Sequence, residues 1–318
     1  MPRLLRPTRR GLIRAGGAAL AAAASVSAYA GVVEPGFRLA VTRHAMSPPG
    51  WPAGLSLPLA VIADVHACEP WMSAERIAAI VARANALDPD AVLLLGDYTA
   101  SHRFTTGHVP PEAWAAALAT ARAPLGTFAV LGNHDWWDDH DAQARRAGPV
   151  FARRALERAG VPVLENDVVP LDVRGRRVWL AGLGDQIAFL PARGVYKRFR
   201  GVDDLAGTLA RAPEGAPLVL MAHEPDIFPR VPARVSLTIS GHTHGGQVRL
   251  FGYSPQVPSA FGNRYAYGHV VEDGRNLVVS GGLGCSIAPV RLGVPPEIVL
   301  IELGALPPGV SSLSPPRA

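Results

Sequence analysis

From residue 57 onward the chain alternates short, wholly apolar runs with polar loops and stretches of helical periodicity, and this alternation limits the fold more than any other feature. The runs LPLAVIAD, DAVLLLGD and GTFAVLGNHD each read as a buried strand. Between them, SAERIAAIVARANAL carries apolar residues at Ile77, Ile80, Val81 and Ala84, the spacing of one helix face. PPEAWAAALATAR reads as a helix with proline in its first turn, and AQARRAGPVFARRALERAG as a helix interrupted near Gly148-Pro149. RRVWLAGLGD, APLVLMAHEP, VSLTISGHTH, NLVVSGG and EIVLIEL follow as further strands. Strands that are apolar at successive positions bury both faces, so the expected class is α/β, with sheets inside and helices outside. The 318 residues, 48% of them hydrophobic, suffice for one large domain, and no internal repeat or second domain stands out.

The formal charge of +5 invites a nucleic-acid reading, but its location argues otherwise. Residues 1–30 hold Arg3, Arg6, Arg9, Arg10 and Arg14 and no acid; subtracting these five from the 31 basic residues leaves 26 against 26 acidic ones. A neutral remainder offers no phosphate-backbone footprint, so no nucleic-acid partner is expected. The same segment has a basic start, an alanine-rich apolar stretch and the small-residue site Ala28-Tyr-Ala30, the layout of an export signal. TRRGLIR within it resembles a twin-arginine signal. The apolar stretch reads as too short and alanine-rich for a permanent span. Periplasmic or extracytoplasmic export is therefore expected, with an uncleaved membrane anchor as the alternative. The resulting division is a signal segment at 1–30, a linker or N-terminal extension at 31–56 containing SPPGWPAG, a catalytic domain at 57–304 and a disordered tail at 305–318. Cys68 and Cys285 lack the spacing of a zinc site and are expected to be unpaired.

Residues that ligate metals recur where these strands end: Asp64 and His66, Asp97, then Asn133-His134-Asp135, His223, and His242 with His244. Open α/β sheets gather ligand sites beyond the carboxyl ends of their strands, so five such loops converge on one crevice. Each motif alone is an ordinary polar turn; five in this order, each behind an apolar run, are a strong signal.

DxH, GD, GNHD, a later His and GHTH, in that order, resemble the calcineurin-like metallophosphoesterase family. AHEPD, GHTHGGQ and GGLGCSIAPVRLGVPPEIVLIEL are similar to its bacterial exported or membrane-associated YkuE-like branch. The resemblance covers roughly residues 57 to 304 and implies a four-layer α/β/β/α sandwich with two divalent metal ions. It implies one ion held by Asp64, His66, Asp97 and His244, and a second held by Asp97, Asn133, His223 and His242, with Asp97 bridging. His134 would stand at the scissile phosphate without ligating, and Asp135 would orient it. Two dications about 3.5–4 Å apart clamp phosphoryl oxygens and acidify a bridging water, whose hydroxide attacks phosphorus in line with the departing oxygen. Imidazole, carboxylate and amide donors together suit Mn, Fe or Zn better than Ca.

His102 and His108, in the loop after Asp97, and Trp136-Trp137 read as candidate substrate contacts, against the plainer readings of surface loop and core edge. Asp185 falls in a GLGD turn without an assigned role. The expected function is hydrolysis of a phosphoester or pyrophosphate on a phosphorylated small molecule or lipid-linked substrate. The alternatives are a UDP-2,3-diacylglucosamine-type lipid-linked pyrophosphate hydrolase and a non-catalytic cell-envelope binding protein with a structural metal.

Overall fold

A computed structural model describes residues 8–100, 102–191 and 199–304. The expected disordered tail and the first seven residues of the signal segment lie outside the described residues. The strands, in chain order, are β1 (Ala40–Met46), β2 (Leu57–Ile62), β3 (Cys68–Glu69), β4 (Ala91–Leu94), β5 (Gly107–His108), β6 (Thr127–Ala129), β7 (Asp167–Val173), β8 (Arg176–Gly182), β9 (Leu218–Met221), β10 (Leu237–Ser240), β11 (Gly268–Glu272), β12 (Arg275–Val279) and β13 (Glu297–Leu303). The helices are α1 (Arg9–Ala28), α2 (Glu34–Phe37), α3 (Ala74–Asn85), α4 (Pro111–Leu118), α5 (Asn133–Trp137), α6 (His140–Arg145), α7 (Phe151–Arg158) and α8 (Leu205–Ala210).

One sheet has the order β1-β13-β2-β4-β6 and the other β11-β12-β10-β9-β8-β7. Because successive side chains of a strand point to opposite faces, β2 sends Leu59 and Val61 inward and Ala60 and Ile62 outward. Leu59, Val61 and Leu93 meet Val219, Met221 and Ile239 of the second sheet in a core between the two. On the outer face of the first sheet, Ile77, Val81, Trp114 and Leu156 cover Ile62 and Leu94. On the outer face of the second, Leu209 and a 3₁₀ turn carrying Ile227 and Phe228 cover Leu218 and Leu220. The result is the expected four-layer α/β/β/α sandwich in a single domain. Ser73 caps α3 by accepting from Arg76 N at 3.3 Å, with Glu75 in the first turn and Arg83 in the last, as the helix dipole favours.

The strand directions place the site. β2, β4 and β6 run parallel, as do β8, β9, β10 and β12, so their carboxyl ends line the same edge of the sandwich.

Two expectations for the N-terminal region change. The stretch 31–56, read as a linker or N-terminal extension, supplies β1, paired in parallel with β13, and buries Trp51 and Leu55 in the inter-sheet core. Its strand escaped notice because AVTRHAM is polar and half exposed, as an edge strand can be. The apolar N-terminal stretch is also longer than its alanine run suggests. α1 continues through a π turn at Tyr29–Val33 into α2, making 29 helical residues, Arg9–Phe37, within which an 18-residue stretch reaches a mean hydropathy of 1.5. By length and composition that helix can cross a bilayer.

Candidate metal centre

Each loop leaving a strand end must turn sharply to bring its side chain back over the sheet edge. Asp64, His66, Asp97, His242 and His244 do so with φ of 51°, 46°, 54°, 65° and 51°, the left-handed region that non-glycine residues rarely enter. The loops are tied together by backbone bonds from Asp64 N to Gly96 O (3.1 Å) and from His66 N to Asp97 O (2.9 Å). His242 N donates to Asp64 Oδ1 at 2.9 Å, and His134 N to Asp97 Oδ1 at 2.8 Å.

The side chains gather into two overlapping groups. In the first, His66 Nε2 and His244 Nε2 lie 3.1 Å apart, with Asp64 Oδ1 3.6 Å from His244 Nε2 and Asp97 Oδ2 3.6 Å from His66 Nε2. In the second, His223 Nε2 is 3.2 Å from Asp97 Oδ2, and His242 Nδ1 is 2.8 Å from Asn133 Oδ1. Asp97 belongs to both. Donor atoms of Asp64, His66 and His244, and of Asp97, His223 and His242, are close enough to share an ion. His134 also comes near enough to His66 and Asp97 to form such a group.

Two features fit these residues to cations. His66 Nδ1 lies 2.8 Å from the Thr99 carbonyl and His223 Nδ1 2.6 Å from the Leu95 carbonyl. A ring nitrogen beside a carbonyl carries the proton, which leaves Nε2 of both rings as a lone pair, the tautomer a metal needs. Furthermore, Asp64 Oδ2 is buried with no hydrogen-bond partner among the described residues, and buried His223 Nε2 faces the Asp97 carboxylate. Electropositive ions between the two groups would satisfy them.

Titration tells the same story. Burial, reinforced by Asp97 although His223 opposes it, pushes the Asp64 carboxyl up to about 7. Burial pulls His66 down to about 3 despite Asp97, and burial with His66 lowers His244. His223 moves the other way: Asp97 overcomes its burial and raises it well above an ordinary histidine. A proton on His223 thus neutralises Asp97 where a cation would.

The remaining predicted residues separate clearly. Asp135, read as orienting His134, has its carboxylate engaged by backbone N–H groups. It is fully buried, and its carboxylate accepts from Asp97 N and Gly132 N (2.9 and 2.8 Å) and from Tyr98 N (2.9 Å), bracing the loops that carry the ligands. Among the described contacts, the carboxylate beside His134 Nδ1 is that of Asp138, at 3.9 Å, one helical turn on. The reason is geometric: Asp135 at the start of α5 points into the sheet edge, whereas positions four apart share a helix face. Trp136 is core, packed edge-on to Phe189 with ring centroids 5.2 Å apart, while Trp137 lies 5.4 Å from His134 in the cleft wall. His102 is buried and lines the cleft; His108 is exposed on β5 and lines a different cavity. Asp185 is buried beside Glu224; burial and that second carboxyl raise it well above the usual range. Cys68 and Cys285 are buried and form no disulfide.

Sequence reasoning missed two residues of the loop between β12 and β13. Ser286 Oγ lies 3.3 Å from His134 Nε2. Arg291 is wholly buried, donates to the carbonyls of Gly281 and Val294 (both 2.9 Å), and places Nη2 3.2 Å from His244 Nδ1. Neither lies in a strand-end motif, so only the burial of a lone arginine in an apolar loop could have drawn attention. The cleft above the centre, about 420 Å³, is lined by Asp97, Asn133, His134, Trp137, His242 and Ile287 among others.

A double-sheet sandwich with mixed His, Asp and Asn donors at its parallel strand ends defines a metal-dependent phosphoester hydrolase. The description "Calcineurin-like phosphoesterase" matches residues 57–246, and the chain belongs to that family. It is 26% identical to the "Uncharacterized metallophosphoesterase YkuE" of Bacillus subtilis (strain 168), over 86% of this chain and 88% of the relative. It is 28% identical to "Phosphodiesterase YaeI" of Escherichia coli (strain K12), over 68% and 70%. It is also 28% identical to a "Transmembrane protein with metallophosphoesterase domain" of Bos taurus, over 80% of this chain and 55% of that one.

Proposed function

We propose that the centre holds two divalent ions of the Mn, Fe or Zn type and hydrolyses an extracytoplasmic phosphoester or pyrophosphate. Asp64, His66, Asp97 and His244 would hold one ion, and Asp97, Asn133, His223 and His242 the other. Bound there, such ions supply Lewis acidity that polarises a phosphoryl group and acidifies water. The observation that carries the reading is that all seven donors, from five separate loops, converge with Asp97 shared between the two groups.

The chain's own residues do the rest. As a water oxygen bonds to phosphorus and the ester P–O bond breaks, the departing oxygen needs a proton. His134 stands in the cleft wall, with Nδ1 toward Asp138 and Nε2 beside Ser286, and is placed to donate it. Trp137 flanks the ring and limits its rotation. Phosphodiesters suit this arrangement, as the name of the YaeI relative also suggests.

The N-terminal helix favours retention at a membrane. Arg9, Arg10 and Arg14 lie at its start and the catalytic domain follows its other end, an order that by the positive-inside rule favours a domain outside the cytoplasm. The transmembrane relative is consistent with an anchor. A lipid-linked pyrophosphate is the second reading that this anchor supports.

The test is metal analysis of the purified full-length protein with a soluble panel: bis-p-nitrophenyl phosphate, p-nitrophenyl phosphate and pyrophosphate. Two ions per chain and turnover that vanishes with chelation are expected. His242→Ala or Asp97→Ala should lower turnover by more than about 100-fold, the scale already reached by losing an outer partner of a metal ligand. Wild-type rates in either folded variant would end the assignment.

A further inference from the structure

We propose that the loops flanking the metal cleft form a membrane-contacting face, so that the cleft opens against the bilayer its N-terminal helix enters and takes phosphoesters carried on lipids. This rests on the phosphoesterase reading above and specifies its substrate class.

The face begins at the hairpin turn Leu250–Tyr253, where Leu250 and Tyr253 exchange backbone bonds of 2.9 and 3.0 Å. Phe251 at its tip is fully exposed, at 106%, and holds φ of 51°. A bulky side chain in the left-handed region and wholly in water incurs both strain and hydration, which a soluble turn has no reason to keep. Tyr253, Leu250 and Ile287 are also exposed, at 60%, 49% and 72%. Aromatic residues with aliphatic neighbours suit the headgroup boundary of a bilayer.

These loops are one unit. Gln247 Nε2 donates to the carbonyls of Ala288 and Val290 at 2.9 and 2.8 Å, and Arg249 N to Leu292 O at 2.8 Å. The same 284–294 loop receives the end of the N-terminal helix: Arg291 N donates to Ala30 O at 2.8 Å and Val294 N to Glu34 Oε1 at 2.9 Å. Val32, Val33 and Phe37 are exposed beside that junction. α1, meanwhile, has no buried residue, and its 20 residues span about 30 Å, the thickness of a hydrocarbon core. The bilayer that covers α1 therefore starts next to this loop.

Charge agrees with contact to lipid. The loops themselves, residues 247–254 and 284–294, hold no acidic residue, and Arg249 lies in the first of them. The metal cleft also continues toward the face. It shares Pro258, Ser286 and Ile287 with a neighbouring groove of about 240 Å³, whose walls include Val248, Ala288 and Val290. A phosphate at the centre would thus have an apolar trough for the chain attached to it.

Two measurements on the full-length protein in vesicles of phosphatidylethanolamine and phosphatidylglycerol test this. Because Cys68 and Cys285 are buried, a spin label on Phe251→Cys reports that site alone, with Glu214→Cys as a water-exposed control. The label at 251 should be accessible to oxygen and shielded from a water-soluble relaxant; an aqueous signature equal to that at 214 overturns the proposal. In the second measurement, a long-chain alkyl p-nitrophenyl phosphate diester in the vesicles is compared with its methyl counterpart in water. The lipid form should show kcat/KM at least about tenfold higher, and Phe251→Asp should erase that advantage with the methyl diester unchanged. Equal loss on both diesters, or no advantage in wild type, counts against the face. If wild type hydrolyses neither, the phosphoesterase reading fails instead, and the label still decides the face.

Discussion

His66 and His244, 178 residues apart in the chain, point their Nε2 atoms at each other across 3.1 Å of buried space. Both rings are held well toward the neutral form by burial; Arg291 donates toward His244 Nδ1, so without an ion the Nε2–H of His244 faces the lone pair of His66 Nε2, with Asp64 and Asp97 alongside. Chelation should expose how much the fold depends on a cation there. An ion at about 100 times its Kd stabilises by about 2.7 kcal/mol, or about 5–10 °C in Tm for a domain of this size. Melting curves with and without chelator, then with Mn or Zn restored, measure it; an unchanged Tm would mean that the site binds no ion.

Metal loading should tighten as pH rises. With the metal-free Asp64 carboxyl near 7, a proton occupies the ligand below that pH and must be displaced, whereas above it the carboxylate is ready. Apparent affinity therefore falls as pH drops through about 7, by up to about tenfold per unit for each proton displaced. Chelator competition at pH 6 and 8 reads this directly, and a flat profile would remove Asp64 from the ligand set.

Gly132→Ala should disable the centre by sterics alone. Gly132 has φ of −114°, which any residue can adopt. Its added methyl, however, would sit 2.7 Å from both Asp97 N and His223 Cε1, and against Asp97 Oδ1. Overpacking of that kind costs about 1–3 kcal/mol, and displacing ligands by about 1 Å costs about 100-fold in turnover. Kinetics and a melting curve on the same preparation separate the two effects; near-normal turnover would show that the Asp97 and His223 loops tolerate movement.

Much of this candidate centre was legible because the residues that could ligate an ion follow strands whose apolar runs are unambiguous, and because parallel strands end at one edge. Asp64, Asp97, His223 and His242 needed only that rule. Ser286 and Arg291 did not obey it. They reach His134 and His244 from a loop 152 and 47 residues away, and nothing in GCSIAPVRLG encodes that contact locally. β1 was hidden for the converse reason, since an edge strand half open to solvent lacks an apolar run. The roles of Asp135 and Asp138 depend on which helix face each occupies, which adjacency in sequence does not give.

Asp135 and Asp138 should accordingly fail in different ways. Asp135→Ala leaves the N–H groups of Asp97, Tyr98 and Gly132 buried without an acceptor, each costing about 1–3 kcal/mol. A large drop in Tm with loss of metal is expected. Asp138→Asn sits at a partly exposed position and should leave Tm and metal content intact while lowering kcat through His134, with KM little changed. Reversed phenotypes would restore Asp135 as the partner of His134.

The segment read as a cleavage site should survive in the mature protein. Ala30 is buried, its carbonyl accepts from Arg291 N at 2.8 Å, and the backbone around it is a π turn continuous with the helices on either side. A peptidase needs an extended, reachable chain, and this one is helical and packed against the loop that holds Arg291 near His244. Cutting after Ala30 would also free Val32 and Val33 from the helix that orders them. Intact mass of the protein from its native membrane fraction should therefore include residues 1–30, and the protein should resist extraction by high salt. A soluble product beginning at Gly31 would show instead that export precedes docking of this segment and that the anchor is transient.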